Sequence, residues 1–248
     1  MIVIKIKYLI ERRVSINLIM IVIKKYVIFM TDLKIEAAIS ADEPIQKRKR
    51  GRPKCFNEQE TLQKAMLLFW EFGYEATSMS DLTQRLNLSA PSLYSAFGDK
   101  SQFFQRCLAY YLEHEACPID LIFKQAKTAK VAIELYLYET LKRLLQLNKP
   151  TGCMLVTATI NCSQEHAPLQ QDLLEKRQMT KETILRRLQQ GVREGDLSAK
   201  VDVYALTDYY TTLIQGLTMQ ARDGLNHQQL SQVIRLALKT WDSFSSMN

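Results

Sequence analysis

Apolar residues recur along most of this chain at helical spacing, and the polar positions between them mark where each helix starts and stops. Leu62, Met66, Phe69 and Phe72 line one face of a segment that opens on Asn57 with Glu60 three residues later, a capping-box arrangement, and closes at Gly73. Ser78 followed by Asp81 starts a second segment, with Met79, Leu82 and Leu86 turned inward, and Asn87-Leu88 makes a turn. Ser89 caps a short third helix whose Leu93 and Phe97 face back onto the first two. Pro91 is tolerated there because a residue in the first helical turn has no intrahelical partner for its N–H. Gly98 ends that helix, and Asp99 caps a fourth carrying Phe103, Phe104, Cys107, Leu108 and Tyr111.

The helical pattern continues downstream. One stretch runs from Val131 to Leu147 and stops at Asn148-Lys149-Pro150; Gly152 to Cys162 is almost continuously apolar and reads as a buried helix. Ala167-Pro168 opens a long helix ending near Gly191 to Gly195. Two last segments share one phase. Leu206, Tyr209, Tyr210, Leu213, Ile214 and Leu217 recur at the intervals repeated by Leu230, Val233, Ile234, Ala237, Leu238 and Trp241. Only 8 Gly and 6 Pro in 248 residues favour helices joined by short turns, and a hydrophobic fraction of 47% favours a globular chain. The expected fold is all-α: a three-helix helix-turn-helix head followed by a helical body.

The net charge of +7 is unevenly spread. Residues 1–29 carry +5, residues 30–46 carry −3, the run Lys47 to Lys54 (K-R-K-R-G-R-P-K) carries +6, and the remainder is nearly neutral. A localised basic arm is the footprint of polyanion binding. Pro53 keeps the arm extended, and Gly51 between Arg50 and Arg52 lets such a peptide lie in a narrow groove whose negative potential the arginines read. Residues 1–29 are rich in Ile and Val but broken by charges, and their longest uncharged run, Val14 to Ile23, is about half of the ~20 residues a spanning helix needs. We read this segment as an upstream extension before the real initiator, Met30 or Met20, in preference to an amphipathic surface segment or a membrane anchor. Residues 31–46 read as a flexible lead-in.

Five scattered cysteines (Cys55, Cys107, Cys117, Cys153, Cys162) suit reduced thiols in the cytosol better than a disulfide framework. Three separated histidines (His114, His166, His227), with no glycine-rich phosphate loop and no metalloprotease pair, argue against an enzyme. No cofactor and no metal are expected. Two soft pairs, His114 with Cys117 and Cys162 with His166, leave a metal-responsive variant open, and Cys55 beside the arm leaves a thiol-responsive one.

The head pattern carries the function. Helix-turn-helix recognition needs a short second helix whose N-terminal half reaches base edges in the major groove. Ser89, Ala90, Ser92 and Tyr94 occupy the outward positions of that helix. Thr77 and Ser78 stand at the N-terminus of the preceding helix, where free N–H groups attract phosphate, and Lys100 is placed for a further backbone contact. With Arg50, Arg52 and Lys54 of the arm, these are the candidate DNA-binding residues. A nonspecific architectural binder working through the arm alone is the rival of another class.

G-R-P-K-x-F at Gly51 to Phe56, F-W-E-F-G-Y-E-A-T-S-M-S-D-L at Phe69 to Leu82 and P-S-L-Y-S-A-F-G-D-K at Pro91 to Lys100 resemble the TetR family of one-component regulators. The resemblance covers about fifty residues closely and the rest in outline; the long N-terminal extension departs from it. It implies a sequence-specific transcriptional regulator, more a repressor than an activator, that is relieved by a ligand bound in its body. The expected organisation is 1–46 extension and lead-in, 47–100 arm and DNA-binding head, and 101–248 ligand-binding and dimerisation body. A lone recognition helix reads few bases, so a cytoplasmic homodimer on a palindromic operator is expected. The dimer seam is read as Leu206, Tyr210, Leu213, Leu217, Leu230, Val233, Ile234, Ala237, Leu238 and Trp241, in preference to a helix pair that only completes the chain's own core. The pocket for a partly apolar effector is read as Tyr111, Tyr136, Tyr138, Met154, Thr157, Asn161, Tyr209 and Gln215. No membrane partner is expected.

Overall fold

Asn57 accepts hydrogen bonds from the backbone N–H groups of Gln59 and Glu60, and the first helix of the described structure starts there. The structure is a computed structural model; it describes residues 56–160 and 162–245, with side chains as far as Trp241. Helix α1 spans Glu58–Ala76, α2 Met79–Leu86, α3 Ala90–Phe97 and α4 Lys100–His114. The body continues with α5 Ile119–Gln125, α6 Ala129–Leu144, α7 Met154–Thr157, a single 3-10 turn Gln164–His166, α8 Ala167–Glu194, α9 Val203–Arg222 and α10 His227–Ser245. Every described element is helical. The readings on residues 1–55 and on Asn161 lie outside the described residues.

The N-caps read from the sequence form, but at α1 the Glu60 carboxylate accepts from Lys64 at 2.7 Å and does not complete the capping box read at Asn57. Ser78 and Asp81 make a reciprocal capping box at α2, Asp99 and Gln102 another at α4, and Ser89 accepts from the Ser92 N–H at α3. Each removes an orphan donor at a helix start. Asn87 ends α2 in the left-handed region (φ 53°, ψ 46°), and Leu88 then donates back to the Thr83 carbonyl, which turns the chain from α2 into α3.

Two hydrophobic cores organise these helices. The first gathers Met66, Phe69, Trp70, Tyr74, Leu82, Leu93, Phe97, Phe103 and Phe104 of the head and extends to Met154, Leu155, Ala158, Leu169 and Leu173. Phe69 stands edge-on to Phe103 and Phe104, while Phe97 stacks on Phe103 with centroids 4.2 Å apart. The second core joins α6, the later part of α8, α9 and α10 around Ile133, Leu137, Leu141, Ile184, Leu188, Tyr210, Ile234 and Trp241.

Two expectations are corrected here. Gly152 to Cys162 does not form a continuous helix; only Met154–Thr157 does. Gly152 takes a positive φ of 97°, and the Ala158 carbonyl turns to accept the Tyr74 N–H at 2.8 Å instead of extending the helix. The α9 and α10 stripe is mainly internal: Leu206, Tyr210, Leu217, Leu230, Ile234 and Trp241 all belong to the second core, and Ala237 is buried as well. Of the residues read as a dimer seam, Val233 is exposed and Leu213 and Leu238 are half-buried.

Candidate DNA interface and ligand cavity

Helix α3 owes its orientation to Leu93 and Phe97, both buried in the first core, which leaves Ser89, Pro91, Tyr94 and Ser95 facing outward. Tyr94 is 49% exposed although it is a large aromatic, the kind of side chain a protein keeps outside for a partner. Ser89 and Ser92 hydroxyls share a hydrogen bond of 2.8 Å. Ala90 is half-buried. The helix carries no charged residue, so it offers hydroxyl and apolar contacts to base edges rather than phosphate attraction. Ser95 was not picked out from the sequence, although its place one residue after Tyr94 could have suggested it.

The flanking positions differ from one another. Ser78 is exposed at the N-terminus of α2, but its hydroxyl and backbone N–H are already engaged by the Asp81 carboxylate. Those bonds hold the Asp81 carboxyl below its ordinary value. Thr77 is only 2% exposed and donates its hydroxyl to the Gly73 carbonyl at 2.7 Å, so this side chain closes the end of α1 and is not presented to a partner. Lys100 lies with its ammonium 4.3 Å over the Tyr74 ring and 3.4 Å from the Glu75 carbonyl. Burial pushes its pKa down, with Glu75, Cys162 and Asp81 pulling it back up. Arg50, Arg52 and Lys54 lie outside the described residues.

The body encloses a cavity of about 210 Å³ among α1, α4, α6, α8 and α9. Its wall is mostly apolar and includes Trp70, Leu112, Ile119, Leu155, Ile184 and Ile214. Of the predicted pocket residues, Tyr111, Tyr136 and Gln215 line it. Met154, Thr157, Tyr138 and Tyr209 stand elsewhere. Met154 is buried in the first core, and Thr157 donates to the Cys153 carbonyl at 3.0 Å. Tyr138 packs half-buried on the second core, and Tyr209 is exposed, edge-on to Tyr210. Asn161 lies outside the described residues. Reading the sequence missed Trp70, Thr140, Arg177 and Thr211 of the lining; the first belongs to the head pattern, and α8 is too polar along its length to mark Arg177 as a wall residue.

Cys117 and Cys153 also face the cavity. Burial pushes the Cys117 thiol up to about 11 and raises Cys153 as well, and Tyr111 donates its hydroxyl to the Cys153 sulfur at 3.4 Å. Burial raises Cys107 and Cys162 too, so all four described cysteines are held as thiols and not as thiolates. Among the described residues no cluster of three or more His, Cys, Asp or Glu side chains is placed to hold a metal ion. His114 stacks on Tyr110, and His166 meets Tyr74 edge-on and approaches Glu75.

Cavity and head are in direct contact. Trp70 of α1 lines the cavity and donates its indole N–H to the Gly152 carbonyl at 3.2 Å. Arg222 at the end of α9 reaches the Glu71 and Thr151 carbonyls at 3.1 and 3.4 Å. Tyr74 is tied to Ala158.

Comparison with known proteins gives one answer for both halves. A family profile described as bacterial regulatory proteins, tetR family, matches residues 62–107, and one described as tetracyclin repressor-like, C-terminal domain, matches residues 136–237. The transcriptional repressor ComR of Escherichia coli (strain K12) is 30% identical over 196 residues, covering 79% of this chain and 93% of that protein. The repressor BdcR of the same strain is 29% identical, covering 77% and 92%. Among solved structures, a cysteine mutant of the TetR family regulator CifR in complex with 26-base-pair operator DNA superposes with a TM-score of 0.74 at 33% identity, covering 77% of this chain and all of that one. No helix among the described residues is long and apolar enough to cross a membrane.

Proposed function

The chain belongs to the TetR family of bacterial transcriptional regulators, which are not enzymes, and on that premise we propose that it is a cytoplasmic DNA-binding repressor whose operator is released when a small molecule fills the body cavity. The observation that carries the reading is the outward face of α3. Its apolar residues are spent on the core, while Ser89, Pro91, Tyr94 and Ser95 are left for base edges in the major groove, with Ala90 and Ser92 beside them. Ser78 and Lys100 flank that face and would position the head on phosphates. Arg50, Arg52 and Lys54 of the arm would enter the adjacent minor groove and supply most of the salt-dependent affinity. The operator complex of CifR supports this assignment.

In this proposal residues 47–100 act as the head and 101–248 as the body. A second copy docks against the exposed apolar residues of α9 and α10, namely Tyr209, Met219, Val233 and Leu236. A two-fold dimer then reads a palindrome. The Trp70–Gly152, Tyr74–Ala158 and Arg222–Glu71 bonds supply the coupling, because a ligand that moves the cavity wall moves the attachment points of α1.

The test is fluorescence anisotropy of the full chain on DNA from upstream of its own gene, with excess unrelated competitor and a salt series. Competitor-resistant binding of one dimer per palindrome is the expected result. Complete loss to competitor, with Tyr94→Ala binding unchanged, would replace this reading with nonspecific binding through the arm.

A further inference from the structure

The charged side chains around the cavity differ in one respect. Glu115 is ion-paired with Lys149. Arg143 is paired with Glu139 at 2.8 Å and donates to the Glu115 carbonyl. Arg177 has no carboxylate partner among the described residues: its one hydrogen bond is from Nη1 to the Leu155 carbonyl at 2.8 Å. The guanidinium is half-buried, and burial lowers its pKa. A guanidinium has five donors in a planar fork that matches a carboxylate, and most of those donors are unused here.

Its position adds to this. Arg177 lines the apolar cavity and also two open hollows, one with Thr159, Gln170 and Leu174 and the other with Thr212, Gln215 and Met219. It therefore stands where the cavity meets the surface. A second observation comes from the wall of the same cavity. Thr140 is 7% exposed and is engaged by the Cys117 thiol and the Tyr136 hydroxyl, whereas the buried Thr211 Oγ1 has no hydrogen-bond partner among the described residues. A buried hydroxyl left unpaired costs stability, and a ligand that pairs it recovers it.

We propose that the effector is a small carboxylic acid with an apolar body, bound with its ionised head on Arg177 and its body against Trp70 and Ile184, within reach of Thr140 and Thr211. This rests on the reading above that the cavity houses the effector, and it names the chemical class. A volume of about 210 Å³ exceeds the ~150 Å³ of a dry cavity that admits benzene, so one ring with a short arm is the size that fits. The raised thiols at Cys117 and Cys153 disfavour capture of an electrophile as the alternative chemistry.

The experiment uses 3-phenylpropionate and its neutral amide as probes on the full chain, followed by calorimetry and by quenching of the tryptophan fluorescence to which Trp70 and Trp241 both contribute. The acid is expected to bind about tenfold or more tightly than the amide. Arg177→Gln removes that preference, with a small fall in melting temperature from the lost Leu155 bond, while Arg177→Lys keeps part of the preference. Equal binding of acid and amide to the unaltered chain overturns the proposal without needing any variant, as does failure of both probes to bind. An unchanged preference in Arg177→Gln also overturns it. The reading of ligand-relieved repression fails separately. Acid binding at Arg177 that leaves operator retention unchanged removes ligand relief and with it the effector role, keeping only Arg177 as a carboxylate site; release of DNA by the amide alone keeps ligand relief and overturns the carboxylate assignment.

Discussion

Tyr74 donates its backbone N–H to the Ala158 carbonyl at 2.8 Å, a bond between the end of α1 and the segment that leaves the short helix α7. It exists because α1 breaks its helical geometry one residue earlier, at Gly73 (φ 82°, ψ 171°), which frees the Tyr74 N–H from the helix ladder. The Tyr74 ring then packs on Phe104, His166 and the Lys100 ammonium. The end of α1 is thus locked through main chain as well as side chains to the segment that follows the cavity-lining Leu155 and Val156.

Gly73→Ala tests that lock. A Cβ at this position would meet the Ala158 carbonyl oxygen at 3.2 Å in a backbone region that residues other than glycine rarely adopt. The expected cost is about 1–3 kcal/mol, seen as a fall of roughly 3–10 °C in melting temperature. A melting temperature equal to that of the parent would mean that the junction is not built as described.

Thr77 and Tyr94 should separate stability from recognition. Thr77→Val removes a hydroxyl bonded to Gly73 and should cost about 1 kcal/mol of stability with operator affinity little changed. Tyr94→Ala removes an exposed ring and should leave the melting temperature in place while weakening operator binding by about 5- to 100-fold. Paired unfolding and anisotropy measurements check both; the opposite pattern would return Thr77 to the interface.

Cys117 gives a stability effect with a definite sign. Its folded value of about 11 stands above an ordinary 9.0 because burial disfavours the thiolate. The contribution is therefore fully present below pH 9.0 and is lost as pH rises towards about 11, because the unfolded chain releases the proton first. Cys117→Ala should be less stable than the parent at pH 8, yet lose roughly 2 kcal/mol less between pH 9 and pH 11. Urea unfolding across that window measures the difference; parallel curves would refute it.

Leu236 and Leu230 sit on different faces of α10, one 63% exposed and the other fully buried. Leu236→Glu should give a folded monomer by analytical ultracentrifugation and weaken operator binding. Leu230→Ala should lower stability by about 2–5 kcal/mol. A dimer that survives Leu236→Glu would move the interface off this face.

Much of this was legible because it is local. Caps at Asn57, Ser78, Ser89 and Asp99, the inward periodicity of Leu93 and Phe97, and the exposure of Tyr94 each follow from residues within one or two helical turns. The cavity was much less so. Trp70, Thr140, Arg177 and Thr211 come from four different helices, and nothing in the neighbourhood of any one of them marks it as a wall. The stripe on α9 and α10 misled in a different way, since an apolar face has the same period whether it packs on the chain's own core or on a second copy.

The sequence by itself therefore determined most of the helices, the helix-turn-helix, the basic arm and the family, because capping, periodicity and charge runs act over short spans of chain. Tertiary structure alone decided that Thr77 is closed in, that the α9–α10 stripe is largely internal, and that Arg177 stands at the mouth of an apolar cavity without a carboxylate partner among the described residues. Those outcomes depend on which distant residues arrive as neighbours, and burial and ion pairing are properties of the neighbourhood rather than of the residue.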